Sequence, residues 1–514
     1  MDDPEPKEPP PPEHRPFRRR LLINTLASGV SNAWAIVLAL VTLPLVLHGL
    51  GTRTFGIWVI LQTFSASTGW LAILDGGLGT SATRQIARHS SVEATVDTGA
   101  AIGTSLVAFA GLAVVGAGIA IAVGAPVVNA LGRVPSAQRG TVEMAVLLLG
   151  GQVVAELAFQ WAISCLEGLQ RADLSRASDM VRRGLFAGTT SWAALATHSL
   201  VRVELAALVS SVVGALVGIV LLQRHARGVR PHWSRSEFRP LVHYGGIIAL
   251  LRPISAMYRL MDRIIVAAAL GPSAVTLVEI ATQLQNGASA VLAAASYAVM
   301  PGAAWLHGRS GRTELKRLLL DGTRYVLLVS LPVAVGVIVL AGPGIDLWVG
   351  HRYHAAASAT QIAVAALAVG AIAQVGSLIL TGTGRAVVIL RASAIGVVVN
   401  LGLSIALVFP LGIDGVFWAT LISFLITTPW IVVSVCRDSD VAPAEFLRTS
   451  VLPTAVPLAA EGVACAAVVL LGLRPLGTVI LGGACGAVAY SLTALKFSFA
   501  PGEIKDLRRG LKRQ

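Results

Sequence analysis

The stretch GAAIGTSLVAFAGLAVVGAGIAIAVG (residues 99–124) runs for 26 positions without a charged side chain. A helix of about 20 apolar residues spans the hydrocarbon core of a bilayer, so this stretch is long enough to cross a membrane. Comparable runs recur along the 514 residues, of which 55% are hydrophobic and 13% charged, and the mean hydropathy is +0.74. This composition predicts an all-α polytopic membrane protein, because only helices and closed barrels satisfy their backbone polar groups in lipid.

Apolar runs of spanning length predict about 14 transmembrane helices, arranged as two six-helix bundles and a C-terminal helix pair. We expect an N-terminal bundle at 21–222 (the first half), a C-terminal bundle at 242–436 (the second half) and an additional helix pair at 437–495. The expected spans lie at 21–47, 54–75, 99–124, 142–166, 182–200, 203–222, 242–269, 272–300, 324–348, 358–381, 386–409, 413–436, 450–473 and 476–495.

The positive residues predict the topology of these spans. With the N-terminus inside, the inner segments hold 31 Lys and Arg and the outer connectors hold six. Basic residues concentrate on the cytoplasmic side of membrane proteins. We therefore expect a multi-pass protein of the plasma (inner) membrane with cytoplasmic termini: a disordered tail at 1–20, a basic connector at 223–241 and a basic tail at 496–514. Because the positive charge is spread over short connectors, we expect no nucleic-acid partner.

Three short matches, in the same order, indicate that the two halves are copies of one unit. Leu50-Gly51 aligns with Leu270-Gly271, GAPVVNALG (124–132) with GPGIDLWVG (342–350), and Arg176-Ala177-Ser178 with Arg391-Ala392-Ser393. Since six spans is an even number, both copies enter the membrane in the same direction and form parallel repeats.

The predicted seventh span carries the densest intramembrane charge of the chain. Arg252, Arg259 and Arg263 fall on one helix face within about 40°, since they are 7 and 11 residues apart. An arginine in hydrocarbon costs at least about 2.5 kcal/mol, so this face is expected to meet protein or a watery cavity. The first half has no arginines at the matching position. Two interpretations stay open: a cationic cavity for an anionic substrate, or a locally paired structural cluster.

Other residues of the spans are candidates for coupling or movement. Asp262, Glu156 and Glu279 could bind ions or pair with the arginines, because a carboxyl in a membrane can load and release a proton; the alternative is a hydrogen-bonded structural acid. Pro253 removes a backbone donor and would bend span seven as a hinge, or form an ordinary kink. Polar uncharged residues could bind sugar hydroxyls or join helices: Asn32, Gln62, Gln152, Gln160, Gln283, Gln285 and Asn286.

The chain contains no nucleotide-binding, zinc-protease or serine-hydrolase motif. His351 and His354 lie three residues apart in a short outer loop, and we interpret them as a solvated pair rather than metal ligands. We expect no catalytic residue, no metal and no cofactor.

Several segments resemble the Wzx-like polysaccharide flippases of the multidrug/oligosaccharidyl-lipid/polysaccharide exporter superfamily. The resemblance covers roughly 18–440 and rests on LPLVLHGLGTRTFGIWVI (43–60), LAILDGGLGTSATRQIA (71–87), MDRIIVAAALGPSAVTLVEIATQL (261–284) and Pro301 with the basic connector after it. The family often has Tyr where this chain has Val278-Glu279. The resemblance implies two bundles around a central cavity and movement of polyprenyl-diphosphate-linked sugars from the inner to the outer leaflet.

The expected function is therefore alternating-access flipping of a lipid-linked anionic glycan for cell-surface polysaccharide biosynthesis. The expected partners are this substrate, membrane lipids, polysaccharide assembly enzymes and H⁺ or Na⁺ as driving ion. An exporter of small cationic drugs with the same fold is the first alternative, although a cation site favours acids over arginines. A membrane glycosyltransferase or polymerase is less favoured, because the outer connectors reach only about 17 residues.

Overall fold

The computed structural model describes residues 14–67, 69–73, 75, 77–90, 95–226, 228–249, 252–296, 299 and 312–498. The side chains of 14–30, 32, 73, 90, 95, 244, 246–259 and 312 fall outside this description. Every regular element within these ranges is a helix, which confirms the predicted all-α class. The tails at 1–13 and 499–514, and the connector 300–311 with Pro301, lie outside the described residues, whereas 14–20 continue the first helix.

The described residues form sixteen helical segments. They are α1 (His14–Leu50), α2 (Thr52–Gln62), α3 (Leu78–Ser90), α4 (Thr95–Leu131), α5 (Arg139–Gly168), α6 (Ala172–Thr197), α7 (Leu200–His225), α8 (Arg235–Ala249), α9 (Arg252–Leu270), α10 (Pro272–Ser296), α11 (Arg312–Trp348), α12 (Ala356–Gly382), α13 (Ala386–Leu411), α14 (Ile413–Asp438), α15 (Pro443–Leu470) and α16 (Pro475–Phe497). A π-helical turn at Leu447–Val451 lies within α15.

Ten of the described helices are long and apolar enough to cross a membrane: α1, α4, α5, α7 and α11 to α16. Their outer surfaces carry large apolar side chains, such as Val114, Phe409 and Leu470, which is 86% exposed. Exposed side chains of this kind fit contact with lipid tails. The structure is thus that of a multi-pass membrane protein, and the count of 14 spans stays a prediction.

The second predicted span is interrupted rather than continuous. The sequence predicts one helix at 54–75, but α2 ends at Gln62 and α3 begins only at Leu78, with a 3₁₀ turn at Trp70–Ile73 between them. Gly69 packs against the backbone at Thr63 and Ser65 so closely that a Cβ would overlap it. Hydropathy alone did not reveal this break, because the segment remains apolar.

The seventh predicted span, at 242–269, is helical wherever the structure describes it. The described segments are α8 and α9, and residues 250 and 251 between them lie outside the description. Pro253 follows these residues, so the hinge expected there stays a prediction.

The connections between helices support the predicted duplication. Gly51 joins α1 to α2 with φ 75°, and Gly271 joins α9 to α10 with φ 93°. Glycine suits both positions, because side chains rarely adopt a positive φ. Left-handed residues also recur after the matching later helices, in the pairs Arg133 and Gly350, Gln170 and Gly384, and His198 and Gly412.

Candidate functional site

A cavity of about 520 Å³ is lined by residues of both halves. We call it the inter-half cavity; α1, α2, α5 and α6 contribute from the first half, and α9 and α10 from the second. Its apolar wall includes Leu38, Val46, Phe55, Trp58, Phe186 and Leu260. Its polar wall consists of Thr42, Gln62, Ser67, Gln152, Arg182, Arg183, Arg263, Glu279, Thr282, Gln283 and Asn286.

Arg263 is the predicted arginine that the structure places on this wall. Its Nη2 lies 2.7 Å from Oε2 of Glu279, and both side chains are largely buried, with 16% and 15% exposed. Arg263 is on α9 and Glu279 on α10, so the short connection at Gly271 brings the two helices side by side. The two predicted charges thus form a salt bridge on the wall of the inter-half cavity.

The other predicted charges of span seven are placed differently. The side chains of Arg252, Pro253 and Arg259 lie outside the described residues, so their roles stay predictions. Asp262 is buried beside Ser404 of α13 and is not among the residues that line the inter-half cavity. Asp262 therefore belongs to the contact between α9 and α13.

Two arginines of the first half, which the sequence analysis did not select, also line the inter-half cavity. Arg182 and Arg183 begin the predicted span at 182–200, and in the structure they lie within α6. Asp179 pairs with both, at 3.1 Å from Arg182 Nη2 and 2.6 Å from Arg183 Nε. This pairing follows from helical spacing, because residues three and four apart are neighbours. The guanidinium of Arg182 also lies 4.9 Å from the ring centroid of Phe159.

The residues that line the cavity carry more positive than negative charge. The lining holds three arginines, Arg182, Arg183 and Arg263, and one carboxylate, Glu279, whereas Asp179 pairs with its two arginines from outside the lining. Charges in a partly desolvated cavity interact more strongly than charges in water. The arrangement can therefore attract and hold an anion.

Glu156 stabilises the interruption of the second span. Its Oε2 accepts hydrogen bonds from the backbone N–H groups of Ala66 and Ser67, at 2.8 and 2.9 Å. Its Oε1 accepts from the Ser67 hydroxyl at 2.9 Å and from Gln152 Nε2 at 2.8 Å. The two backbone N–H groups have no helical carbonyl partner because α2 has ended. The carboxylate of Glu156 accepts their hydrogen bonds instead. Ser67 and Gln152 carry this network to the cavity wall.

Glu204 of α7 was missed by the sequence analysis. Its carboxylate is completely buried and accepts hydrogen bonds from Trp58 Nε1 at 3.2 Å and Gln62 Nε2 at 3.1 Å. Among the described salt bridges none involves Glu204. The signal was present, since an acid inside the apolar run LVRVELAALVSS (200–211) invites the same argument that selected Glu156.

The predicted polar residues divide between the cavity and helix contacts. Gln62, Gln152, Gln283 and Asn286 line the inter-half cavity. Gln285 instead donates to the carbonyl oxygen of Ala363 on α12, at 3.0 Å. The side chain of Asn32 lies outside the described residues.

The two halves touch where α2 and α10 begin, and we call this the α2–α10 contact. Thr276 Oγ1 donates to the Thr52 carbonyl oxygen at 2.7 Å, and the Thr52 and Tyr353 hydroxyls lie 2.9 Å apart. Gly56 packs directly on Pro272, where a Cβ would overlap the proline carbonyl. The connectors at this contact are predicted to be outer ones. The halves are therefore joined at the predicted outer end of the cavity.

The fold is that of a helical multi-pass membrane protein, and comparisons with known proteins place it beside other such proteins. Residues 151–358 match the family model described as "Polysaccharide biosynthesis protein". No curated protein sequence matches the chain.

Solved structures with this fold include a lipid flippase and multidrug transporters. "Lipid II flippase MurJ, inward closed conformation" superimposes with a TM-score of 0.73 at 12% identity, over 93% of this chain and 98% of that one. An inward-facing MATE family transporter of the MOP superfamily gives 0.65 at 16% identity, over 81% and 96%. The MATE multidrug transporter DinF-BH gives 0.61 at 14% identity, over 82% and 95%. The predicted resemblance to the multidrug/oligosaccharidyl-lipid/polysaccharide exporter superfamily is confirmed for the fold.

Proposed function

We propose that this protein flips a polyprenyl-diphosphate-linked oligosaccharide from the inner to the outer leaflet for cell-surface polysaccharide biosynthesis. The observation that carries the proposal is the inter-half cavity, whose lining holds three arginines and one carboxylate. A lipid-linked diphosphate is anionic, so it complements this excess of positive charge. The polysaccharide-biosynthesis family match over 151–358 supports the same substrate class.

The cavity wall has guanidinium groups for the diphosphate of such a substrate and amide groups for its sugars. A guanidinium presents a planar fork of donors that binds phosphate oxygens in pairs, so Arg182, Arg183 and Arg263 bind the diphosphate. The amides of Gln283 and Asn286 can donate to and accept from sugar hydroxyls. The diphosphate must displace the carboxylates that pair with these arginines. This competition limits the affinity for the substrate and therefore permits its release.

Movement of the head group across the membrane requires that the halves separate at the outer end. The α2–α10 contact is the barrier that opens, and the inter-half cavity then becomes accessible from the outer side of the membrane.

This alternating access needs an energy source, and a proton or sodium ion is the proposed one. Glu204 is the candidate for ion coupling, because it is buried beside the cavity-lining residues Trp58 and Gln62. Glu156 is less suited, since four donors already occupy its carboxylate.

Export of small cationic drugs is the second candidate, favoured by the likeness to multidrug transporters. The acid on the cavity wall, Glu279, is paired with Arg263 rather than free for a cation. The charge of the cavity therefore favours the anionic substrate.

The decisive experiment measures flipping in proteoliposomes with a fluorescent polyprenyl-diphosphate sugar and a membrane-impermeant quencher. We expect Arg182→Gln/Arg183→Gln/Arg263→Gln to reduce the flipping rate at least tenfold. Arg474→Gln is the matched control, because this arginine is exposed between α15 and α16. Equal flipping by the triple variant and the wild type would refute the site, and transport of cationic dyes without flipping would establish the second candidate.

A further inference from the structure

A carboxylate and two imidazoles meet in the loop between α11 and α12, away from the inter-half cavity. Asp346 Oδ2 lies 3.0 Å from His351 Nδ1, and Asp346 Oδ1 lies 2.8 Å from His354 Nδ1. One potential ligand atom from each of the three residues lies within 4.8 Å of the other two. The sequence suggested only a solvated histidine pair; the fold adds the carboxylate.

Local backbone geometry brings these three side chains together. Asp346 is in the last turn of α11, which ends at Trp348, and Gly350 reverses the chain with φ 104°. A 3₁₀ turn at His351–Tyr353 follows. Since a 3₁₀ helix has three residues per turn, His351 and His354 project from the same side. The ring centroids of the two histidines are 5.4 Å apart.

We propose that Asp346, His351 and His354 form a binding site for a divalent transition-metal ion of the zinc class. Two imidazole nitrogens and one carboxylate oxygen suit zinc, whereas magnesium and calcium prefer oxygen ligands alone. Zinc binds such atoms at about 2.0–2.2 Å, and water completes the four-coordinate shell of a site with three protein ligands. The ion takes the place of the proton between each imidazole and the carboxylate, and each imidazole stays neutral with its proton on Nε2.

The exposure of the three side chains fits an ion that enters from solvent. The side chain of Asp346 is only 15% exposed, whereas those of His351 and His354 are 85% and 53% exposed. The histidine rings can therefore turn toward an ion held by the anchored carboxylate. The carbonyl end of α11 adds partial negative charge, which favours a cation at this position.

An ion at this loop also stiffens the junction of the two halves. Tyr353, between the histidines, is buried and its hydroxyl lies 2.9 Å from Thr52 Oγ1 in the first half. Trp348 Nε1 donates to the Leu40 carbonyl oxygen of α1 at 2.7 Å. Metal binding thus holds the loop in the conformation that closes the α2–α10 contact.

The test is zinc binding by the purified full-length protein in nanodiscs, with any histidine tag removed and metal stripped by a chelator. Isothermal titration with Zn²⁺ is expected to show one saturable site per chain, weakened at least tenfold in His351→Gln/His354→Gln. Co²⁺ is expected to give the visible absorption of a four-coordinate site in the wild type only. His225→Gln is the matched control, because His225 is exposed at the end of α7 and bonds only its own helix within the described contacts.

Hydrogen exchange provides a second readout that needs no transport activity. Zn²⁺ is expected to slow amide exchange at 349–354 in the wild type and in His225→Gln, but not in the double variant. Binding of equal strength in the wild type and the double variant would overturn the proposal, as would no binding by the wild type. Circular dichroism and gel filtration verify that the double variant is folded.

Discussion

Arg263 and Glu279 form a salt bridge with 2.7 Å between Nη2 and Oε2 on the wall of the inter-half cavity. The bridge links α9 to α10, two helices that meet at Gly271. A mostly buried charge pair is costly to break by removing one partner, because the other charge is left without compensation. An anionic head group that binds Arg263 therefore competes with Glu279.

This competition predicts the effect of Glu279→Gln. The substitution releases Arg263 for the substrate, so we expect the affinity for a polyprenyl diphosphate to rise about tenfold, equivalent to about 1.4 kcal/mol. We also expect slower turnover, because release becomes harder. Binding is measured by thermophoresis in detergent, and turnover by flipping in proteoliposomes. Glu314→Gln, an exposed acid in the first turn of α11, is the control; unchanged or weaker binding by Glu279→Gln contradicts the competition.

The network at Glu156 predicts a loss of stability in Glu156→Ala. The substitution leaves the N–H groups of Ala66 and Ser67 without their acceptor, at a cost of about 1–3 kcal/mol for each buried unsatisfied group. We expect a lower thermal unfolding midpoint in detergent and a lower yield of folded protein. Glu143→Ala is the control, because Glu143 is exposed on the same helix. Equal unfolding midpoints of the two variants would show that the carboxylate does not support the break.

The position of Glu204 predicts the behaviour of Glu204→Gln. Glutamine retains the size of the side chain but cannot take up a proton, so we expect flipping to lose its dependence on an imposed proton gradient. Binding of the polyprenyl diphosphate should change less than twofold. Flipping rates are measured with and without a pH gradient across the proteoliposomes. If the gradient still accelerates Glu204→Gln as it accelerates the wild type, another group couples the ion.

The close packing at Gly56 predicts a shift between conformations in Gly56→Ala. A Cβ at this position overlaps the Pro272 carbonyl, so α2 and α10 must separate. We expect a longer spin-label distance between positions 53 and 273, measured by double electron–electron resonance. Gly118→Ala is the matched control, because a Cβ there meets nothing within 4 Å. Identical distance distributions for Gly56→Ala and the wild type rule out a role of this contact in closing the outer end.

Hydropathy identified most helices but described the polar ones poorly. The apolar helices α4, α5, α7 and α11 to α16 correspond to predicted spans, because lipid solvates their outer faces and leaves an apolar signal. Of the helices that line the inter-half cavity, α1 and α5 are among the ten described helices that pass for apolar spans, whereas α2, α6, α9 and α10 are not. The helix α2 has only 11 residues, because the second span is interrupted. Polar and charged residues weaken the apolar pattern of α6 and α10, although 182–200 and 272–300 were still predicted as spans.

Individual charged residues also differ in whether the sequence alone could identify them as candidates. Arg263, Glu156 and Glu279 could be selected from the sequence, because a charge inside an apolar run is costly unless it has a partner. Arg182 and Arg183 could not, since consecutive arginines near the end of a span also satisfy the positive-inside rule. Their place on the cavity wall became visible only when α6 was positioned against α1.

The sequence by itself determined that the chain is an all-helical membrane protein, and the two repeated halves stay a prediction. Length, hydropathy and glycine positions are local properties, and a bilayer allows few solutions to backbone hydrogen bonding. Only the tertiary structure decided which buried polar groups meet across helices: Arg263 with Glu279, Asp262 with Ser404, and Glu204 with Trp58 and Gln62. The physical reason is that pairing depends on the rotation and interruption of helices, which are set by packing against other helices rather than by neighbours in the sequence.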